Sequence, residues 1–166
     1  MKEKTILYFG YGANAHKDMI KALVGRVPKG FKTKLENYGL FIQSWLDIPL
    51  EVKKILQESW DDKFSSYIAV PLKGAVVFGT AWEITEQERA IIGEWELHHK
   101  WYLPVKVKLI NEKGKSFKAE TEIIPRFYTK IPAIQEKEYL FFSNKKAKML
   151  KLARKLRKRF LKKNLR

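Results

Sequence analysis

The 166-residue sequence contains no cysteine, which removes disulfides, thiolate metal ligands and cysteine nucleophiles together and fits a reducing, cytoplasmic interior. It has no apolar run near the ~18 residues that a membrane-spanning helix needs. The short apolar stretch after Met1-Lys2-Glu3-Lys4 is also too brief for a signal-peptide core. Neither a membrane span nor secretion is therefore expected. No period of 20–50 residues recurs, which excludes repeat arrays, and 9 Gly and 6 Pro are too few for a low-complexity chain. Acidic residues are missing from one place: residues 143–166 carry 12 Lys or Arg and no Asp or Glu, so most of the net charge of +16 sits there. The first 142 residues hold 22 basic against 18 acidic residues, a net of +4. What is present is 45% hydrophobic and 31% charged residues, a mixture that folds as one globular domain.

The basic tail has a pattern as well as a charge. Met149, Leu152, Leu156 and Phe160 recur at spacings of three and four, the mark of one apolar helical face. A basic amphipathic helix over 143–166 is expected beyond a domain of residues 1–142. That helix could lay its stripe on the body with a solvated lysine face, contact nucleic-acid phosphates, lie on an anionic surface or dock a partner.

Elsewhere the hydrophobic periods alternate between strand and helix. Thr5–Phe9 is a β-branched and aromatic run ending at Gly10, and Ala15–Val24 shows a helical pattern closed by Gly25 with Pro28 beyond. Thr33–Ser44 reads as a strand. Tyr67–Leu72 and Ala75–Ile84, separated by Lys73-Gly74, read as a hairpin. Between them Val52, Ile55, Leu56 and Trp60 predict a surface helix over 50–60. Thr85 with Glu88 three residues on is a capping box opening a short helix. Trp101–Ile110 and Phe117–Ile124 alternate on either side of a turn at Gly114 and form a second hairpin. Five or six strands with few helices between them predict an α+β domain with a mixed sheet, not alternating βαβ units.

The segment Tyr8-Phe9-Gly10-Tyr11-Gly12-Ala13-Asn14 lies where a strand gives way to a helix, a place where free backbone N–H groups face an anion or a developing oxyanion. Gly10, Gly12 and Ala15 also match a dinucleotide fingerprint, but the second parallel strand that this fold requires is missing. The run resembles the Tyr-Gly-Ser-Asn signature of the γ-glutamylcyclotransferase-like family, which includes the γ-glutamylamine cyclotransferases. Later segments agree in order. Met19 matches a methionine-bearing helix, Leu35, Tyr38 and Leu40-Phe41 match the next strand, and Val77-Phe78-Gly79 matches a Val-x-Gly element. Ile92-Gly93-Glu94-Trp95-Glu96 stands where the family has Leu-Asp-x-x-Glu. Tyr102 precedes Val105 and Val107, and Ile131-Pro132 is followed by Tyr139-Leu140. The resemblance covers about residues 5–142 and excludes the tail.

The resemblance implies a small mixed β-barrel with peripheral helices. It also implies a cofactor-free and metal-free reaction, in which the α-amino group of a γ-glutamyl substrate attacks its own γ-carbonyl and releases 5-oxoproline and an amine. Glu96 is the implied general acid/base, with Trp95, Leu97 and Trp101 as an environment able to raise its pKa. Tyr8, Phe9, Gly10, Tyr11, Gly12, Ala13 and Asn14 form the implied substrate loop, and Tyr102, Tyr128 and Tyr139 could hydrogen-bond substrate. Asn14 could equally cap the following helix. Two departures bear on activity: Ala13 replaces the signature serine, and Gly93 replaces the aspartate ahead of the glutamate. They leave open a catalytically idle binding module for a small anionic metabolite, and Glu94 as an alternative base. His98 and His99 with Glu94 and Glu96 suggest a metal set only weakly, because adjacent histidines in extended chain face opposite ways. No serine sits in a nucleophile elbow. Residues 45–66 are expected to hold part of the leaving-group recognition.

Overall fold

The structure is a computed structural model that describes residues 4–124 and 140–164. In chain order the elements are β1 (Thr5–Gly10), α1 (Lys17–Val24), β2 (Gly30–Ser44), α2 (Leu50–Leu56), β3 (Ser65–Thr85), α3 (Glu86–Trp95), β4 (Leu103–Ile110), β5 (Ser116–Ile123) and α4 (Leu140–Asn164), with short 3-10 turns at Gly12–Ala15 and Trp45–Asp47. The strands close into a barrel in the order β1-β3-β2-β4-β5. All pairings are antiparallel except the seam between β1 and β5, which is parallel and has one backbone register pair, Tyr8 with Glu120. Side chains complete that seam. Thr121 donates its hydroxyl to the Phe9 carbonyl at 2.7 Å, and Tyr11 donates to the Glu122 carbonyl at 2.8 Å.

The strand alternation divides the core into two layers. Phe9, Leu35, Ala69, Val77, Ala81 and Leu109 fill the barrel. Their outward neighbours, Tyr8, Trp82 and Ile84, pack against Met19, Ile20 and Leu23 of α1, Ile92 of α3, and Met149 and Ala153 of α4. The capping box at the start of α3 is formed: Thr85 accepts from the Glu88 N–H, and the Glu88 carboxylate accepts from the Thr85 N–H. The turn at Gly114 joins β4 to β5, with Asn111 Oδ1 accepting from the N–H groups of Lys113 and Lys115. The predicted surface helix is shorter than expected and ends at Leu56.

The expected hairpin around Lys73-Gly74 is not formed. Tyr67–Leu72 and Ala75–Ile84 run on as one strand, both paired with β2, from Ser44 opposite Ser65 to Gly30 opposite Trp82. Glu36 pairs with Val76 and Tyr38 with Pro71, so four residues of β3 bulge opposite Asn37 alone. Asn37 (φ 63°) and Gly74 (φ 82°) are both left-handed, and the Gly74 N–H donates to Asn37 Oδ1 at 3.0 Å. A side chain from the neighbouring strand thus holds the kink that looks like a chain reversal.

Helix α4 carries the basic tail as far as Asn164 and begins at Leu140, with a non-helical residue at Lys145. The helix docks on the body: Met149 and Ala153 are buried, while Leu152, Leu156 and Phe160 of the expected stripe are half-buried, the His16 ring packs on Phe142, and Lys146 pairs with Asp18 of α1. Gly25, the left-handed end of α1 (φ 90°), accommodates the Arg157 guanidinium in the place where any side chain would put its Cβ.

Candidate active site

A cavity of about 470 Å³ lies on the helix side of the β1–β5 seam. Its floor comes from β1 and the loop after it, with Tyr8, Tyr11, Gly12, Ala13 and Asn14, and from Glu122 of β5. Its walls are the α2 segment with Trp60 and Phe64, the end of α3 with Trp95, Glu96 and Leu97, Trp101 and Tyr102 beyond it, and helix α4. The chain reaches this point by sharp local geometry. After β1, Gly12 takes φ 58° and starts the 3-10 turn. After α3, Leu97 (φ 50°) and His99 (φ 65°) fold the backbone back on itself.

Glu96 sits at the C-terminal end of α3, half-buried, and its Oε1 accepts from Asn14 Nδ2 at 2.6 Å. The same amide nitrogen lies 2.9 Å from the Tyr8 hydroxyl, and that hydroxyl donates to Glu122 Oε2 at 3.0 Å. A continuous chain of hydrogen bonds therefore runs from Glu96 through Asn14 and Tyr8 to Glu122. The other oxygen of Glu122 receives Arg89 Nη1 at 2.5 Å and lies 3.1 Å from His98 Nε2. Arg89 also donates to Glu120 at 3.0 Å, and its guanidinium stands 4.9 Å from the Tyr8 ring centre. Burial, followed by the neighbouring Glu122 carboxylate, pushes the Glu96 carboxyl up to about 8, against the opposing effects of the Asn14 hydrogen bond and Arg89. Burial and Glu122 also push the Tyr8 hydroxyl up, so it remains a neutral donor. A carboxyl with a pKa near 8 both takes and returns a proton at neutral pH. The Asn14 side-chain oxygen is buried with no hydrogen-bond partner among the described residues.

No family model matches the chain, and no curated protein matches it in sequence. Solved structures do. A γ-glutamyl cyclotransferase superposes with a TM-score of 0.63 at 19% identity, covering 92% of this chain and 86% of its own. The fold is that of the γ-glutamyl cyclotransferases. An uncharacterized protein from Homo sapiens is similar over 75% of this chain and 69% of its own, with a TM-score of 0.60 at 20% identity. A protein from Arabidopsis thaliana, solved in solution, matches over 92% and 90%, with a TM-score of 0.61 at 15% identity.

On this cyclotransferase fold the residues singled out from sequence fall into three groups. Glu96, Tyr8, Tyr11, Gly12, Ala13, Asn14 and Tyr102 all line the cavity. Phe9 and Gly10 do not reach it. Phe9 points into the barrel, and a Cβ on Gly10 would strike the Asn14 carbonyl, so that glycine lets the loop close on β1. Tyr139 and Tyr128 lie outside the described residues. The capping role considered for Asn14 is not the one seen: the N-cap of α1 is His16, with no side-chain cap, and the Asn14 amide holds Glu96. Tyr102 is buried, and its hydroxyl donates to the Tyr67 carbonyl at 2.8 Å and lies 2.7 Å from Ser66 Oγ. Glu94 is exposed at the rim, and no His, Asp and Glu set converges on a metal position among the described residues.

Glu122 and Arg89 are residues that the sequence alone does not bring to the site, and His98, weighed in the sequence only as part of a metal set, reaches Glu122 instead. Glu120 and Glu122 alternate with Thr121 and Ile123 as on any solvent-facing strand, and only the approach of α3 turns that face inward. Gly93 also acquires a reason. A Cβ there would meet the His98 ring, so the absent aspartate leaves the space through which His98 reaches Glu122.

Proposed function

We propose that the protein is a γ-glutamylcyclotransferase-type enzyme that converts a γ-glutamyl amine, amino acid or peptide to 5-oxoproline and the free amine. The observation that carries this reading is the Glu96 carboxyl, held by Asn14 of the glycine loop inside the cavity and pushed up to about 8. Ionised Glu96 removes a proton from the substrate α-ammonium. The freed nitrogen attacks the γ-carbonyl carbon, forming the ring C–N bond, and collapse of the tetrahedral intermediate breaks the bond to the leaving nitrogen. Glu96 passes that proton to the leaving nitrogen and then takes the second proton from the ring nitrogen, which ends on the released amine, so no other reagent is consumed and no metal or cofactor is called on. Backbone N–H groups of Tyr11, Gly12 and Ala13 are the candidate donors to the oxyanion, a role in which alanine serves at position 13 as well as serine.

The test is 5-oxoproline release from a panel of γ-glutamyl amino acids, amines and peptides by wild type and Glu96→Gln. Turnover of one member by wild type, with a fall of at least about 10²-fold in the mutant, is the expected result. Binding without turnover in both would leave the barrel as an idle metabolite-binding module. Activity retained in the mutant would move the base to Glu94. A second reading rests on the outward face of α4, where Lys151, Arg154, Lys158 and Lys162 are all exposed. It is contact with a nucleic acid or another anionic surface, and binding that weakens steeply with salt and disappears in Lys151→Gln/Arg154→Gln/Lys158→Gln/Lys162→Gln would support it.

A further inference from the structure

Helix α4 does more than cover the barrel. At about 100° per residue, its positions separate into three stripes that the contacts confirm. Met149 and Ala153 face the body, with Lys146 and Arg157 turned to α1. Lys151, Arg154, Lys158 and Lys162 face solvent. The third stripe, with Leu152, Lys155, Leu156 and Arg159, is the cavity wall. Lys148 belongs to that side too, its ammonium 4.4 Å from the ring centre of Trp60, another lining residue.

The proposed reaction fixes the glutamyl half of the substrate beside Glu96, Asn14 and the glycine loop. What remains of the cavity, between Trp60 and α4, takes the group linked to the γ-carbonyl. Its aliphatic surface is Leu152 and Leu156, and its charges on this wall are Lys155 and Arg159. Neither cation is in an ion pair with a described residue. Lys100 across the cavity and Lys148 over Trp60 add further cations, while Glu58 and Glu94 stand exposed on the walls next to α2 and on α3. Positions 155 and 159 are one helical turn apart, about 5–6 Å between Cβ atoms, a separation comparable with that of the two carboxylates of an acidic amino acid.

We infer that α4 is the leaving-group wall of this pocket, and that Lys155 and Arg159 select γ-glutamyl compounds whose amide-linked group is a dicarboxylic amino acid. The inference rests on the cyclotransferase reading above. Arg159 supplies a planar fork for one carboxylate and Lys155 a point charge for the other. A neutral amino acid leaves one cation unanswered, and a leaving group that carries an ammonium meets repulsion.

Rates of 5-oxoproline release from γ-glutamylglutamate, γ-glutamylalanine and the mono-γ-glutamyl amide of a diamine test this on the full chain. Wild type and Lys155→Ala/Arg159→Ala are compared, with thermal melts to show that removing two exposed side chains leaves the fold intact. The expected wild-type preference is at least about tenfold in kcat/KM for γ-glutamylglutamate over γ-glutamylalanine, carried by KM and reduced by salt. The double variant should lose both carboxylate contacts on γ-glutamylglutamate and one on γ-glutamylalanine, so its loss on the first should exceed its loss on the second by about tenfold and the preference should disappear. Equal kcat/KM for the two substrates in wild type, or an equal loss on both in the variant, overturns the inference and leaves the cyclotransferase reading standing. If no compound is turned over, that reading fails instead. Calorimetric titration with the same compounds then decides the selection: tighter binding of γ-glutamylglutamate that is lost in the variant upholds it, and no difference overturns it.

Discussion

Glu96 is poised by two opposed sets of neighbours. Burial and Glu122 hold its proton on, while Asn14 and Arg89 favour its release. In the proposed reaction the base form accepts the ammonium proton, so kcat/KM should rise about tenfold for each pH unit below the pKa and level off above about pH 8. Glu122→Gln removes the second cause of the upward shift and leaves the Arg89 cation less neutralised. The acidic limb of the profile should therefore move to lower pH, as a rate-against-pH series on one γ-glutamyl substrate will show. An unmoved limb would deny Glu122 its tuning role. Glu96 and the Tyr11–Asn14 loop are legible in the sequence through the order of short motifs. Glu122 and Arg89 are not, because a charged residue on an amphipathic strand or helix reads as solvated until the element that covers it is known. Gly93 illustrates the same limit: in sequence it reads as a missing carboxylate, in space as room for His98.

At the level of elements, signals that close within a few residues are legible and signals completed from elsewhere are not. The Thr85 and Glu88 box and the turn at Gly114 are local, and both stand where expected. Lys73-Gly74 has the local chemistry of a hairpin turn, yet Asn37 on another strand makes it a bulge. For α4 the apolar period is local, but the direction of its lysines is set by docking. That docking depends on Gly25, where a side chain would be disfavoured by the left-handed backbone and would also collide with the Arg157 guanidinium. Gly25→Ala should cost about 1 kcal/mol or more, read as a lower urea midpoint. It should raise amide exchange in the last turns of α4 more than in the barrel strands.

The whole molecule is closed at the parallel junction of β1 and β5. The β1–β5 seam has one backbone register pair, and the buried Thr121 hydroxyl stands in for ladder bonds by donating to the Phe9 carbonyl. Thr121→Val keeps the shape and orphans that carbonyl, so a loss of about 1–3 kcal/mol in unfolding free energy is expected. The seam also joins residues more than a hundred positions apart: Phe9 with Thr121 and Tyr11 with Glu122. During synthesis, β1 leaves the ribosome long before β5 and waits with one edge unpaired, the kind of edge that invites wrong partners. Contacts this distant along the chain are slow to form, and the cavity needs them together with the end of α3 and the still later α4. The candidate active site is thus assembled last, and the chemistry proposed for it would be switched on only in a chain that has finished folding.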